Sequence, residues 1–173
     1  MDLKQHIRTV MDFPKKGINF FDITTILKNN EAFAYSVDAF YEKYKDVKID
    51  KVVAAESRGF IIGSPLAYKL NAGFIPVRKP SKLPADTISE SYSLEYGTNT
   101  IEIHRDAIQK GEKILVHDDL LATGGTVKAM LNLVEKLGGE VVGVSFLIEL
   151  SFLNGRKLLN GYDVFSLLSY DSE

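Results

Sequence analysis

Short apolar runs that lack a clean polar alternation recur along the chain, and segments with helical spacing separate them. We predict strands in five of these runs: DKVVAAE (50–56), GFIPV (73–77), EKILVHDD (112–119), EVVGVSFLIE (140–149) and DVFSLLS (163–169). Runs of this kind suit strands that are buried on both faces, because helices then cover both sides of a parallel sheet. The sequence therefore predicts an α/β fold with a doubly wound, mainly parallel sheet.

Helical segments fill the intervals between most of the predicted strands. The spacing predicts helices in NEAFAYSVDAFYEKY, whose first residue Asn30 suits a cap, and in GFIIGSPLAYKL (59–70), GTVKAMLNLVEKLGG (125–139) and SFLNGRKLLNG (151–161). Between residues 78 and 104 the pattern changes. Pro80 and Pro84 predict a loop there, and SYSLEY and TIEIH alternate like the strands of a hairpin.

Composition narrows the class of protein. With 173 residues, of which 45% are hydrophobic and 25% charged, the chain suits one soluble domain (1–173) without a domain boundary. A net charge of −2 argues against nucleic acid as a partner, and no apolar run approaches the about 20 residues of a membrane helix. The absence of cysteine excludes disulfides and thiolate metal sites, and a cytoplasmic location is the simplest interpretation.

The segment ILVHDDLLATGGT (114–126) joins a predicted strand end to a turn suited to an anion. The turn consists of Ala122, Thr123, Gly124, Gly125 and Thr126. Its glycines let backbone amides converge, the following helix adds positive potential, and the threonines offer hydroxyls. An ordinary turn with a threonine cap is the plainer interpretation of TGGT alone.

Asp118 and Asp119 favour a binding site over an ordinary turn. Neighbouring carboxylates repel each other, so each needs a partner that stabilises its charge. The two hydroxyls of a ribose 5-phosphate would supply such partners beside the phosphate. A direct magnesium site is the alternative. The segment therefore indicates either a phosphorylated sugar or a metal.

Five motifs resemble those of the type I phosphoribosyltransferases, and of the adenine-specific members of that family over nearly the whole chain. They are DFPKKGINFFDIT (12–24), ESRGF (56–60), RKPSKLP (78–84), SYSLEYG (91–97) and DDLLATGGT (118–126). The resemblance implies transfer of a 5-phosphoribosyl group from phosphoribosyl diphosphate (PRPP) to N9 of adenine, which yields AMP and diphosphate. It also implies an N-terminal hood at about 1–30, a mobile hairpin lid at about 78–104, a homodimer, and Mg²⁺ held mainly by PRPP and diphosphate.

The same resemblance assigns site residues in this chain. Asp118 and Asp119 would bind the ribose hydroxyls, and residues 122–126 would hold the 5′-phosphate. The diphosphate side would comprise Glu56, Ser57, Arg58, Arg78, Lys79 and Lys82, with a cis peptide bond at Glu56–Ser57. Adenine would meet Asn19, Phe20 and Phe21, and the lid would supply Glu95 and Tyr96. The catalytic candidates are Glu95, Arg58 and Lys82.

Several positions have plainer interpretations or depart from the family's pattern. Valine is common in the family at His117 and near Asn19, arginine at Phe21 and aspartate at Glu56. For His117 a structural role is the simpler expectation, and surface cations such as those of residues 78–82 are usually solvated. Phe20 and Phe21 are adjacent in an extended segment, so one can enter the core while the other faces a ligand.

Two other functions compete with transfer to adenine. The first is a regulatory module that binds PRPP or a nucleotide without turnover, and the second is transfer to another purine through the same sugar-phosphate site. The cationic loop and Glu95 favour an enzyme, since a binding module need not keep a lid.

Overall fold

The computed structural model describes residues 1–93 and 97–172, and its strands form one large sheet and two small ones. The strands are β1 (Arg8–Val10), β2 (Phe20–Asp22), β3 (Lys51–Ala55), β4 (Gly73–Val77), β5 (Thr87–Ser93), β6 (Thr98–His104), β7 (Lys113–Leu121), β8 (Glu140–Leu150) and β9 (Val164–Tyr170). The large sheet has the order β4-β3-β7-β8-β9, and each neighbouring pair is parallel. This confirms the predicted fold class.

Helices cover both faces of the large sheet, as a doubly wound fold requires. They are α1 (Thr24–Leu27), α2 (Asn30–Tyr44), α3 (Arg58–Lys69) and α4 (Gly125–Lys136). Val53 and Val116 pack with α4 in one buried cluster, whereas Val52 and Leu115 pack with α2 and α3 in another. Neighbouring residues of a strand belong to different clusters because successive side chains point to opposite faces of the sheet. None of the described helices is long and apolar enough to cross a membrane.

Two helix predictions are wrong in detail. SFLNGRKLLNG forms two short 3-10 turns, Ser151–Leu153 and Gly155–Leu159, because Asn154 between them adopts a left-handed conformation with a φ of 57°. The cap of α2 is Asn29, whose side chain accepts a hydrogen bond from the Ala32 amide at 2.9 Å, whereas Asn30 is already helical. Both differences leave the order of the elements unchanged.

Two antiparallel ribbons lie outside the large sheet. β1 pairs with β2, and β5 pairs with β6, so the predicted hairpin is present, but its first strand begins at Thr87, four residues before SYSLEY. The hairpin is attached to α4, since Glu90 accepts hydrogen bonds from Asn132 Nδ2 at 2.9 Å and Lys136 Nζ at 2.5 Å. Leu3 and Ile26 of the N-terminal segment are buried with α2 and α3. The hairpin and the N-terminal segment therefore pack on opposite faces of the sheet.

Candidate sugar-phosphate site

A cavity of about 940 Å³ opens at the carboxyl ends of β3, β4 and β7. Ligands of open α/β sheets bind at this edge, outside the carboxyl ends of the strands. The cavity is lined mainly by residues 55–58, 98–101 and 118–127 and by Lys79, Lys82 and Tyr92. The fold thus brings together the residues predicted for the ribose, the 5′-phosphate and much of the diphosphate.

Asp118 and Asp119 lie inside β7, which continues two residues beyond its predicted end. Asp118 Oδ1 accepts a hydrogen bond from the Asp119 amide at 2.9 Å, and Asp119 Oδ2 lies 2.8 Å from Arg58 Nε. Burial raises the pKa of Asp118 well above its ordinary value, and the charge of Asp119 adds to that rise. Burial also raises the pKa of Asp119, although Arg58 opposes it. Hydroxyl donors from a ligand would relieve this cost, since hydrogen bonds to a charged carboxylate favour the charged form.

The start of α3 approaches these carboxylates closely. A Cβ built on Gly59 would lie 2.9 Å from Asp118 Oδ1. Glycine at this position therefore allows α3, whose first residue is Arg58, to reach the end of β7. Just before the helix, the peptide bond between Glu56 and Ser57 is cis, as the family resemblance implies.

The predicted anion-binding turn (residues 122–126), between β7 and α4, rests on a segment to which the sequence analysis assigns no part in the site. Gly124, which precedes the helix, has a φ of 89°, a conformation that glycine adopts without steric cost. The backbone of Gly155 packs against the turn, and a Cβ there would lie 2.2 Å from the Ala122 carbonyl oxygen. The next residue, Arg156, donates to Glu149 Oε1 at 2.9 Å and thereby ties this segment to β8. The turn dipeptide Asn154–Gly155 is the only sequence signal for this support.

The cations predicted for the diphosphate fall into two groups. Lys79 and Lys82 line the cavity, and neither side chain forms an ion pair with another described residue. Arg78 does not line it, because its Nη2 donates to Glu56 Oε2 at 3.0 Å. Glu56 Oε1 also accepts from the Lys79 amide at 2.5 Å. Burial alone would raise the pKa of Glu56, but these hydrogen bonds outweigh it and hold the pKa below its ordinary value. Glu56 and Arg78 therefore join the two loops that carry the cations.

The residues predicted for adenine lie on the N-terminal segment, beside the cavity rather than in its lining. The ring of Phe20 meets Phe13 edge to face at 5.3 Å between centroids, and the guanidinium carbon of Arg58 lies 5.3 Å from the Phe20 centroid. Phe21 points the other way and packs on Tyr170, with centroids 4.3 Å apart. Asn19, next to Phe20, is half-buried. One aromatic ring thus faces Arg58 while its neighbour enters the core.

His117 lies apart from the ligand cavity. Its buried ring meets Phe40 edge to face, and Nδ1 lies 2.9 Å from Ser145 Oγ. Burial lowers the pKa of His117 to about 3, so the ring is neutral at physiological pH. The structural role expected for this residue is confirmed.

The hairpin contributes to the cavity through residues that the sequence analysis does not assign to the site. Thr98, Asn99 and Thr100 of β6 line it, and Tyr92 of β5 reaches the anion-binding turn. Glu95 and Tyr96, the lid residues predicted from the family resemblance, lie outside the described residues. Alternating side chains of a hairpin give no sequence signal for which face meets a ligand, which is why the β6 residues are missed.

A parallel sheet whose carboxyl edge carries two aspartates beside a glycine-containing turn at a helix start has the geometry of proteins that bind phosphorylated sugars. Comparison with known proteins identifies the family. The family model described as a phosphoribosyl transferase domain matches residues 22–167. The adenine phosphoribosyltransferase of Halothermothrix orenii is 64% identical over 168 residues, which are 97% of this chain and 99% of that protein.

Solved structures agree over the whole fold. The adenine phosphoribosyltransferase of Thermoanaerobacter pseudethanolicus superposes with a TM-score of 0.95 at 53% identity and covers 98% of both chains. The Saccharomyces cerevisiae enzyme, solved with adenine and an imino-altritol bisphosphate, gives a TM-score of 0.92 at 42% identity over 96% of this chain and 97% of that one. The chain belongs to the phosphoribosyltransferase family and, within it, to the adenine phosphoribosyltransferases.

Proposed function

We propose that the protein transfers the 5-phosphoribosyl group of PRPP to N9 of adenine and releases AMP and diphosphate, a reaction of purine salvage. Relatives that carry the name of this activity align with nearly the whole chain. The observation that carries the proposal is the position of Arg58, which contacts both the Asp119 carboxylate and the Phe20 ring. One side chain thus joins the edge that suits a sugar phosphate to an aromatic ring that suits a base.

The sugar phosphate would be shared between acceptors and donors. Asp118 and Asp119 would accept hydrogen bonds from the ribose hydroxyls, and residues 122–126 would direct backbone amides and the Thr123 hydroxyl to the 5′-phosphate, since the Thr126 hydroxyl donates to Tyr92. The end of β7 and the start of α4 hold these groups in place before a ligand arrives. This division explains why two carboxylates adjoin a turn that attracts an anion.

Bond breaking at the anomeric carbon would develop oxocarbenium character on the ribose and negative charge on the departing diphosphate. Lys79, Lys82 and Arg58 would stabilise that charge electrostatically. For Arg58 this requires release from Asp119, to which it is paired at 2.8 Å. The ribose hydroxyls would replace the guanidinium as partners of that carboxylate, so that sugar binding frees a cation for the leaving group.

The protein would contact both a face and the polar edge of the adenine ring. The ring of Phe20 would stack on one face of the purine, while backbone groups around Asn19 and Phe21 read the edge. Adenine offers a donor at C6 and an acceptor at N1, and hypoxanthine reverses both, so backbone groups matched to adenine would leave hypoxanthine unpaired. From the family resemblance, Glu95 would share a proton with the base as N9 attacks, beside Tyr96 on the same loop.

The proposal places Mg²⁺ on the oxygens of PRPP and diphosphate. In residues 1–93 and 97–172, no group of three or more Asp, Glu, His or Cys side chains is arranged to hold a metal ion. Asp118 and Asp119 face the cavity, but Arg58 and the Asp119 amide already contact them. When bound to the substrate, the ion would neutralise part of the charge on the leaving diphosphate.

Assembly as a cytoplasmic homodimer belongs to the same proposal. Ile61 and Tyr68 on the outer side of α3 are 39% and 86% exposed, which suits a surface covered by a second copy. PRPP and AMP are phosphorylated metabolites, which suits a cytoplasmic location. Light scattering on the purified protein should give twice the chain mass of 19.3 kDa. A mass of one chain at enzymatic concentrations would contradict the dimer.

A turnover assay tests the proposed function. The purified protein is given PRPP and Mg²⁺ with adenine, hypoxanthine or guanine in turn, and nucleotide and diphosphate are both quantified. We expect AMP and diphosphate in equal amounts, with a catalytic efficiency for adenine at least about a hundredfold above that for either 6-oxo purine. PRPP binding without turnover would indicate a regulatory module, and comparable efficiency with hypoxanthine would indicate another purine as substrate.

A further inference from the structure

Tyr92 is the point at which the hairpin touches the anion-binding turn. Its phenol oxygen accepts a hydrogen bond from Thr126 Oγ1 at 2.9 Å. Its ring packs against the turn, since a Cβ built on Gly125 would lie 3.0 Å from Tyr92 Cδ2. The side chain is half-buried and lines the cavity together with the turn.

The hydrogen bond with Thr126 leaves the proton of the phenol available. A tyrosine hydroxyl carries one donor as well as its acceptor lone pairs, and Thr126 uses only an acceptor. Across the described parts of the chain, no acceptor is recorded for the Tyr92 O–H. The ligand group proposed for this part of the cavity is the 5′-phosphate, since its turn at residues 122–126 lines the same cavity as Tyr92.

We propose that Tyr92 donates its hydroxyl proton to the 5′-phosphate of the bound sugar and thereby links the hairpin to the phosphate site. This inference rests on the proposed function, because it needs a phosphorylated sugar in the turn. Thr126 then supports the phosphate through its backbone amide and, by way of Tyr92, through its hydroxyl. Each hydroxyl donates to the next oxygen, an arrangement in which hydrogen bonds strengthen one another.

The position of Tyr92 in β5 gives this contact a second consequence. Glu90 and Tyr92 are two residues apart, so both side chains point to the α4 side of the hairpin. Glu90 holds Asn132 and Lys136 without any ligand, whereas the contact from Tyr92 to the phosphate exists only when the sugar is bound. Residues 94–96, which include the candidate Glu95, follow directly after this strand. Tyr92 therefore acts as a positioning residue: when a sugar phosphate is bound, its additional hydrogen bond holds the hairpin more firmly against the turn.

The first test compares two phenylalanine variants. Tyr92→Phe removes the hydroxyl and keeps the ring against Gly125, whereas Tyr162→Phe removes a phenol that bonds Glu135 on the same helix α4. Dissociation constants are measured by calorimetry for ribose 5-phosphate and for inorganic diphosphate. We expect Tyr92→Phe to weaken ribose 5-phosphate about tenfold and to leave diphosphate within twofold of wild type, because the hydrogen bonds that are lost, to the sugar phosphate and from Thr126, both lie at the 5′-phosphate end of the site. Tyr162→Phe should change neither constant.

Equal losses for both ligands, or none for ribose 5-phosphate, would overturn the contact. The link to the hairpin has its own measurement, the hydrogen exchange of amides 87–93 with and without ribose 5-phosphate. Binding should slow this exchange in wild type and in Tyr162→Phe, but much less in Tyr92→Phe at saturating ligand. Equal slowing in all three proteins would overturn the positioning role.

The outcomes also separate this inference from the proposed function. Wild-type turnover with adenine, together with normal ribose 5-phosphate binding in Tyr92→Phe, would overturn only the role of Tyr92. Absence of turnover with any purine would overturn the proposed function, while the two binding constants would still decide the contact. Failure of the wild type to bind ribose 5-phosphate would remove the sugar-phosphate site and the inference together.

Discussion

The sugar-phosphate half of the site and its base half are built in different ways. The sugar-phosphate half (residues 56–59 and 118–126) lies at the carboxyl ends of the strands of the large sheet, where β7, α3 and α4 meet. The base half (residues 13–21) comprises the connection between β1 and β2 and the start of β2, and Phe13 in that connection is 50% exposed. Arg58 connects the two halves. In the proposed site, the groups for the phosphate and the sugar are thus part of the core, whereas those for the base lie on a peripheral segment.

This difference has a physical consequence for substitutions. In the sugar-phosphate half the groups are fixed before binding, since Asp119 is only 7% exposed and backbone contacts with Gly155 support the turn. Preorganised polar groups lose little freedom on binding, so removing one should cost most of its interaction energy. In the base half a single aromatic face, that of Phe20, is proposed to supply most of the affinity. Substitutions should therefore affect the two substrates separately.

The largest effect is expected for the carboxylates. Asp118→Asn and Asp119→Asn should each lower kcat/KM for PRPP by about ten- to a hundredfold, because a hydrogen bond to a charged acceptor is worth about 1.5–3 kcal/mol. Steady-state kinetics at varied PRPP measure this, and circular dichroism checks that the fold is intact. If both variants fold and retain wild-type efficiency toward PRPP, the carboxylates do not bind the ribose.

The pH dependence of ribose 5-phosphate binding gives a second test of the two aspartates. Burial raises the pKa of both aspartates, so these carboxyls take up protons at a higher pH than ordinary aspartates. Affinity for ribose 5-phosphate should be highest above the raised pKa values and fall as the pH decreases through them, since a protonated carboxyl is a poorer acceptor. Titrations across the pH range should show a shallower fall in Asp119→Asn. Identical pH profiles in wild type and Asp119→Asn would show that the Asp119 carboxyl does not take part in binding.

A smaller loss is expected when Lys82 is removed. Lys82→Ala should lower kcat about tenfold and leave the affinity for AMP nearly unchanged, because its proposed partner is the leaving diphosphate. Turnover rates and AMP titrations give the two values. Equal losses in both would point to general damage, and an unchanged kcat would remove Lys82 from the mechanism.

Gly155→Ala tests the support of the turn. Its Cβ would lie 2.2 Å from the Ala122 carbonyl oxygen, so the turn must shift. Overpacking of this kind costs about 1–3 kcal/mol, which lowers the melting temperature by roughly 3–10 °C. KM for PRPP should rise about fivefold, and KM for adenine should stay the same. Gly161→Ala is the control: unlike Gly155, Gly161 has a positive φ of 93°, which strains an alanine, but no atom lies within 4 Å of its Cβ position, so any loss of stability there leaves the turn in place. A rise in both Michaelis constants, or in neither, would count against this role.

The smallest effect on activity is expected at His117. His117→Val should leave kcat and both Michaelis constants unchanged and cost about 1 kcal/mol of stability at neutral pH, because Ser145 Oγ loses its partner. Adding Ser145→Ala should recover most of that loss. A changed kinetic constant in the fully folded variant would place His117 in the site after all.

Acid unfolding of the same variant tests the burial of the ring. Burial holds the pKa of His117 at about 3 in the folded state, against about 6.5 in an unfolded chain. The unfolded state therefore binds more protons between these values, and the wild type loses stability as the pH falls from about 6.5 toward 3. His117→Val lacks this component, so its deficit against the wild type should shrink in acid. Urea unfolding at several pH values measures the difference, and a constant deficit would contradict it.

The sequence predicts the parts of this molecule that are local in the chain. Buried parallel strands are recognisable because they lack polar alternation, and Asp118, Asp119 and the turn at 122–126 are contiguous. Contacts between distant segments leave no such signal. The pairing of Arg58 with Asp119 and the packing of Gly155 on Ala122 depend on tertiary structure alone.

The helix prediction for residues 151–161, which fails, shows the same limit. The apolar spacing of SFLNGRKLLNG favours a helix, yet Asn154 turns left-handed, and the following Gly155 lies against the anion-binding turn. Tertiary packing therefore overrides local propensity. Conversely, the opposite directions of Phe20 and Phe21 follow from strand geometry, and the structure confirms them.

The separation of the two halves is tested most directly by the Michaelis constants of Phe20→Ala for both substrates. Base–aromatic stacking is worth roughly 1–3 kcal/mol, so KM for adenine should rise about ten- to a hundredfold, while KM for PRPP stays within twofold of wild type. The preference for adenine over hypoxanthine should largely survive, because both purines lose the same stacking. A parallel rise in KM for PRPP, or an unchanged KM for adenine, would contradict a site in which the sheet edge binds the sugar phosphate and the N-terminal ribbon binds the base.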